Sequence, residues 1–237
     1  MTFSIIARDE LTGRIGMAVA SKFFAAGARC LFIKSGVGGI VSQALFNPYY
    51  GPRGLALLAA GASAPDAVRL LTATDDGRDR RQLMVLDREG GFAAHTGEQC
   101  PAWSGHLLRS TYALAGNILA NADVLDAMAD SYDANFAMPF ARRLIAAMQA
   151  GDVAGGDARG RQSAALLVHD QEDYSLLDVR VDDHAEPLTE LVRLEEAARS
   201  GWVHFRRVLP NIQEPGGVLD PDTIEARIAA SKAEDYE

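Results

Sequence analysis

Residues 2–21 read TFSIIARDELTGRIGMAVAS, two apolar runs around a cluster of turn formers. Phe3 to Arg8 is apolar and β-branched, Asp9 to Gly13 carries turn residues, and Arg14 to Ser21 is a second short apolar run. That pattern predicts a β-hairpin with a loop of about four or five residues. Thr2 opens the first strand, and Ser4, two residues on, shares its strand face.

Further strands and helices follow outward from this hairpin. Leu31 to Lys34 and Gly39 to Ser42 read as two more strands, joined by Ser35-Gly36-Val37-Gly38-Gly39, a turn whose glycines suit positive φ. A helix is expected over Pro52 to Ala60, stopped by Gly61. A second follows the Ser63 cap, with Asp66 at the third helical position and Ala67, Leu70 and Leu71 on its apolar face. Arg81 to Leu86 and Phe92 to His95 flank Arg88-Glu89-Gly90-Gly91 as a further hairpin, and Tyr112 to Leu119 reads as a strand. Two more helices are expected, one from the Asn121 cap and one over Pro139 to Ala150, stopped by Gly151. Ser163 to His169 and Tyr174 to Val181 form a last strand pair, followed by a helix from Pro187 to Arg199. Hairpins carry the strand pairs, so the sheets are largely antiparallel and the class is α+β. A terminal helix over Asp220 to Lys232, with an Asp cap and Pro221 at its first position, follows the Pro/Gly-rich stretch Pro210 to Pro221. The chain thus divides into a domain over 1–209 and a connector plus C-terminal helix over 210–237, packed on the domain or on a partner subunit.

Composition narrows the function classes. The chain has 237 residues, 48% hydrophobic and 23% charged, enough apolar content for a packed core. A net charge of -9 with scattered lysines and arginines argues against nucleic acid and anionic membranes as partners. Two cysteines, Cys30 and Cys100, build neither a disulfide framework nor a four-ligand zinc site, and a reducing compartment suits them. No apolar run approaches a membrane span and no leader pattern opens the chain, so the expected location is cytoplasmic. Homo-oligomerisation, with a dimer first, is the expectation for such a chain.

Position 2 carries the sharpest chemical signal. Methionine is normally removed before a small residue, and Thr2 would then hold a hydroxyl nucleophile and a free α-amine on one residue. That amine has a reference pKa of about 8 and serves as a base near neutral pH. The chemistry requires the residue at the start of a firmly held strand, which Phe3 to Arg8 supplies.

An ordered series of segments resembles the DUF1028 family. It includes Thr2 to Asp9, Gly16 to Phe23, Gly36 to Ala44, Asn47-Pro48-Tyr49-Tyr50-Gly51-Pro52-Arg53-Gly54-Leu55, Ala94 to Gly97, Cys100 to His106, Gly116-Asn117, Gly155-Gly156-Asp157, Arg159 to Leu166 and Val181 to His184. The resemblance covers about residues 2 to 195. It implies a four-layer αββα sandwich of two largely antiparallel sheets, of the N-terminal-nucleophile (Ntn) hydrolase kind, with Thr2 opening a central strand. It further implies hydrolysis or transfer at a small amide or peptide-like bond through a Thr2 acyl-enzyme, with a small-molecule amide as partner and no cofactor.

Under that reading Thr2 is the nucleophile. Asp157 and Ser163, from the glycine-rich loop, are candidates to hold its α-ammonium. Ser21, Lys22 and Lys34 are candidates to tune it, since a nearby cation lowers an amine pKa. The backbone N–H groups of Gln43 and Ala44 and the Asn47 amide are candidate oxyanion donors. Asn117 is a candidate to orient substrate, Arg53 and Arg161 to pair with a substrate carboxylate, and Gln162 to contact substrate. Two other readings stand beside it. One is a non-catalytic oligomeric binding protein on the same scaffold. The other is a hydrolase using Cys100 with His95 or His106, or a metal held with Asp182, Asp183 and His184; no metal is the primary expectation.

Overall fold

The computed structural model describes residues 2–233. In chain order the elements are β1 (Thr2–Arg8), β2 (Ile15–Ser21), the short helix α1 (Gly27–Cys30), β3 (Leu31–Lys34) and β4 (Gly38–Ala44). Next come α2 (Tyr50–Ala59), α3 (Ala64–Ala73), β5 (Arg81–Asp87), β6 (Phe92–Thr96), β7 (Trp103–Leu108) and β8 (Tyr112–Leu119). The rest are α4 (Asp123–Ala134), α5 (Phe140–Val153), β9 (Ser163–His169), β10 (Leu177–Val181), α6 (Pro187–Ser200), α7 (Trp202–Phe205) and α8 (Pro221–Ala233).

The strands form two antiparallel sheets. A six-stranded sheet runs β10-β9-β2-β1-β8-β7 and a four-stranded sheet runs β3-β4-β5-β6. The alternation of side chains along each strand sorts them into layers. Phe3, Ile5 and Ala7 face α4, α5 and α6 through Leu125, Met128, Leu144 and Leu191. Ile6, Met17, Val19, Val41, Met84, Leu86, Ala113 and Ala115 fill the space between the sheets. Ile40, Leu83 and Val85 meet Tyr50, Leu58, Ala67 and Leu71 of α2 and α3. The order is helices, sheet, sheet, helices, the four-layer αββα sandwich that the family resemblance implies.

Local signals read from sequence recur in the structure. Ser63 Oγ accepts from Asp66 N at 3.3 Å and donates to its carboxylate at 2.9 Å, so the α3 cap is built from those two residues. The β3–β4 turn holds Gly36 at φ 69° and Gly38 at φ 139°. Asp220 Oδ2 accepts from Thr223 N at 2.9 Å and caps α8. This helix folds back on its own chain: Ser231 Oγ lies 2.8 Å from His204 Nδ1, and Arg227 pairs with Glu214 at 2.7 Å.

Other boundaries moved. The helix expected from Pro52 starts at Tyr50, the strand expected from Tyr174 starts at Leu177, and α5 runs through Gly151 to Val153. The helix placed at an Asn121 cap starts at Asp123 with no side-chain cap. Strand β7 was unread because it is an edge strand with a register shift between Trp103 and Gly105 and only partial burial, so no clean alternation marks it. Among the described residues no helix is long and apolar enough to cross a membrane.

Leu144 is fully buried between α5 and the six-stranded sheet. Leu144→Ala is expected to lower unfolding free energy by about 2–5 kcal/mol in urea denaturation. Leu11→Ala, at a residue 80% exposed, should stay within about 0.5 kcal/mol of the parent.

Candidate functional site

The inter-sheet rows change character at one end of the sandwich. Thr2 and Ser4 share the inward face of β1 with Ile6, Ser21 that of β2 with Val19 and Met17, and Asn117 that of β8 with Ala115 and Ala113. Gln43 stands in the same relation to Val41 on β4, and Gln82 to Met84 on β5. Register brings the first group together, since Thr2 lies opposite Ser21 on one side and Asn117 on the other. Ser21 in turn lies opposite Ser163 of β9. The apolar interlayer therefore ends in a cluster of hydroxyls and amides around Thr2.

Thr2 is 7% exposed, and its Oγ1 lies 3.1 Å from Ser21 Oγ. The Asn117 amide donates to the Thr2 carbonyl at 3.4 Å and to Gln82 Oε1 at 3.0 Å. Gln82 Oε1 also accepts from Gln43 Nε2 at 2.7 Å, and Gln43 Oε1 accepts from Ser4 Oγ at 2.7 Å. The Gln82 amide nitrogen faces Gly116 O at 2.8 Å, Gly105 O at 3.0 Å and Thr96 Oγ1 at 3.0 Å. Gln82 thus ties the two sheets together through side-chain hydrogen bonds in a space with no water exposure. Sequence reasoning missed it. Its signal was a polar residue in phase with the inward apolar residues Met84 and Leu86. Two non-glycine residues with positive φ border this end: Ala44 at 67°, next to Gln43, and Ile118 at 53°, next to Asn117. A β-branched residue in that region is a genuine outlier.

Asp157 closes the same end. Its carboxylate accepts from Lys22 N at 2.7 Å and from Arg159 N at 2.9 Å, and it pairs with the Arg159 guanidinium at 3.2 Å. It therefore clamps the residue that follows Ser21. Ser163 Oγ donates to Phe23 O at 2.7 Å and accepts from Ala26 N at 3.2 Å, which fixes the loop after β2. Gln162 N donates to Ser21 O at 3.1 Å, while its side chain reaches Asp183 at 3.1 Å.

The remaining candidates lie elsewhere. Lys34 pairs with Gly38 at the start of β4, the far end of the strand from Gln43, so it cannot tune Thr2. Lys22 Nζ turns outward to Arg161 O at 3.0 Å. Arg161 is held by Asp152 and Glu186, both at 2.8 Å. The Asn47 amide donates to Asp75 at 3.0 Å and its carbonyl oxygen accepts from Tyr49 N at 3.0 Å, so it builds a turn rather than an oxyanion site. Arg53 lies over the Tyr49 ring at 4.9 Å on the outer side of the four-stranded sheet. Asp75, below them, is held well under the usual carboxylate range: burial opposes this, but the hydrogen bonds from Asn47 and Arg81 outweigh it.

The cysteine arrangement does not form a dyad. Cys100 Sγ donates to Arg81 O at 3.4 Å, His95 Nε2 contacts Arg78 O at 2.9 Å, and His106 Nδ1 contacts Thr96 Oγ1 at 2.9 Å. Burial pushes the Cys100 thiol up, away from the thiolate, and lowers His106, with the neighbouring His95 adding to the effect. Burial also drives Cys30 up to about 12. Among the described residues no three His, Cys, Asp or Glu side chains converge as metal ligands would.

Residues 2–191 match the family described as "Family of unknown function (DUF1028)". A crystal structure of a DUF1028 protein from Silicibacter pomeroyi is 33% identical, with a TM-score of 0.85 over 92% of this chain and 99% of that one. Anbu (ancestral beta-subunit) from Yersinia bercovieri is similar at 14% identity and a TM-score of 0.41, over 89% of this chain and 99% of that one. Among curated proteins none matches.

Gln82→Leu should leave the Gln43 and Asn117 amides without their acceptor, at a cost of roughly 1–3 kcal/mol for each buried group left unpaired. Urea denaturation checks this, and an unchanged midpoint would refute the brace. Both cysteines should resist iodoacetamide at pH 7 in the folded protein and react fully once it is unfolded, as peptide mass mapping would show.

Proposed function

This chain belongs to the DUF1028 family, and we propose that it is an N-terminal-nucleophile amidohydrolase acting through Thr2. The observation that carries the reading is the position of Thr2. It opens a central strand, faces the polar end of the interlayer, and presents its hydroxyl 3.1 Å from Ser21 Oγ. Met1 lies outside the described residues, and the proposal requires its removal. The freed α-amine takes the Thr2 hydroxyl proton as Oγ1 bonds to the amide carbonyl carbon and the carbonyl π pair moves onto oxygen. The Asn117 amide would serve that oxyanion by turning to it the N–H that makes the longer of its two bonds, 3.4 Å to the Thr2 carbonyl. Collapse breaks the C–N bond, with the α-ammonium protonating the leaving amine. Water then attacks the ester, its proton passing through the α-amine back to Oγ1, so that amide plus water gives acid plus amine. Ser21 orients the hydroxyl, and Asp157 holds the backbone beyond Ser21 in place. These two act as positioning residues. The strained backbone at Ala44 and Ile118 supports a site at this end, since left-handed non-glycine residues cost on the order of 1–3 kcal/mol and gather where geometry matters.

A non-catalytic binding protein on the same sandwich is a second reading. One observation favours it: a cleft of about 930 Å³ opens at the opposite end from Thr2.

Intact mass spectrometry of cell-expressed protein should show the loss of one methionine residue. Against a panel of small acyl amides, Thr2→Ala should abolish turnover and Thr2→Ser should retain part of it. Retained Met1, or turnover unchanged in Thr2→Ala, would contradict the proposal.

A further inference from the structure

The cleft at the far end of the sandwich has its own charge pattern. Its walls come from the end of β1 and start of β2, the β3–β4 turn, the β5–β6 turn and the 170–174 loop, with residues 206–213 across it. The last segment is held in place: Tyr174 Oη donates to Pro210 O at 2.9 Å, and the Glu172 carboxylate accepts from Ile212 N at 3.2 Å.

Every carboxylate on the wall is already satisfied. Asp87 accepts from the backbone N–H groups of Ala64, Glu89 and Gly91. Asp170 accepts from Arg206 at 2.7 Å, Glu172 from Ile212, and Glu89 from Arg88 at 3.1 Å. Two of the guanidinium groups are not. Arg8 and Arg14 are half-buried, and among the described residues neither side chain makes a hydrogen bond or ion pair. Arg206 adds a buried Nε with no acceptor. Arg8 lies against two turn glycines instead of a carboxylate. A Cβ at Gly90 (φ 91°) would come within 2.8 Å of its Nη1, and one at Gly13 (φ 72°) within 4.0 Å of its Nη2. A guanidinium drawn partly out of water without an acceptor is costly, and its planar fork matches a carboxylate or phosphate. On a chain of net charge -9, unpaired arginines gathered in one cleft mark a specific anion site rather than a general basic surface.

We propose that this cleft binds a small oxyanion, a carboxylate or phosphate group of an organic metabolite, through Arg8 and Arg14. The site is separate from Thr2 and does not depend on the hydrolase reading.

The test is isothermal titration calorimetry of the full chain at low ionic strength, where screening is weak, with inorganic phosphate and with succinate as probes. Saturable 1:1 binding of either probe is expected, at least about tenfold weaker in Arg8→Gln and in Arg14→Gln, and unchanged in Arg53→Gln on another face. The probe that binds tells phosphate from carboxylate recognition. Backbone amide shifts on titrating the parent protein give a measure independent of the variants, and should concentrate at 13–14, 36–38 and 211–213. Absence of saturable binding by both probes, equal weakening in Arg53→Gln, or shifts centred away from those segments would overturn the proposal.

Discussion

The strand Thr2–Arg8 is paired on both edges and buried on both faces, and the rest of the molecule is arranged around that fact. A strand so placed must be apolar nearly throughout, because a polar group between the sheets or under the helices finds no water. Its helix-facing residues Phe3, Ile5 and Ala7 obey this, and so does Ile6 on the inner face. Thr2 and Ser4 depart from it, and the structure answers them with partners from three other strands. The residue at the start of such a strand has very little freedom to move, which is what an attacking hydroxyl requires.

The brace through Gln82 follows from the same constraint. Two sheets packed face to face are free to slide unless directional contacts fix them. The inter-sheet core of Ile6, Met17, Val41, Met84 and Leu86 is apolar and largely non-directional. Hydrogen bonds that join Gln82 to Gln43, Asn117 and the β7–β8 backbone add direction at one end. That end is where Thr2 opens. The other end is held by loops and by the folded-back C-terminal segment, and leaves a broad polar cleft.

Much of the fold was legible because period-2 and period-3.6 patterns report local geometry directly. The Thr2–Ser21 hairpin, the glycine turn at 35–39 and the α3 cap are examples. Trp103–Leu108 was not, since an irregular edge strand lacks the burial that makes a pattern. The site residues divide by a different rule. Ser21, Asn117, Asp157 and Ser163 come together near Thr2 because strand register and one glycine-rich loop put them there. Lys34 failed because a single hairpin reversal sends β3 and β4 in opposite directions, and sequence alone does not say which end of the sandwich a residue reaches. Asn47 and Arg53 were drawn to the turn after β4, but that turn leads outward to α2 and its acidic neighbour Asp75. Gln82 was invisible as a partner because its role depends on contact between sheets, which no local pattern encodes.

We propose that the Thr2 hydroxyl is an activated nucleophile. The most direct measurement is covalent trapping by a small β-lactone, whose strained ester acylates such a hydroxyl without the natural substrate being known, followed by peptide mass mapping. A single adduct on Thr2 is expected, formed in the native protein and absent after unfolding. An intact native protein that takes no adduct, or takes it at Ser4, Ser21 or Cys100 instead, would contradict it.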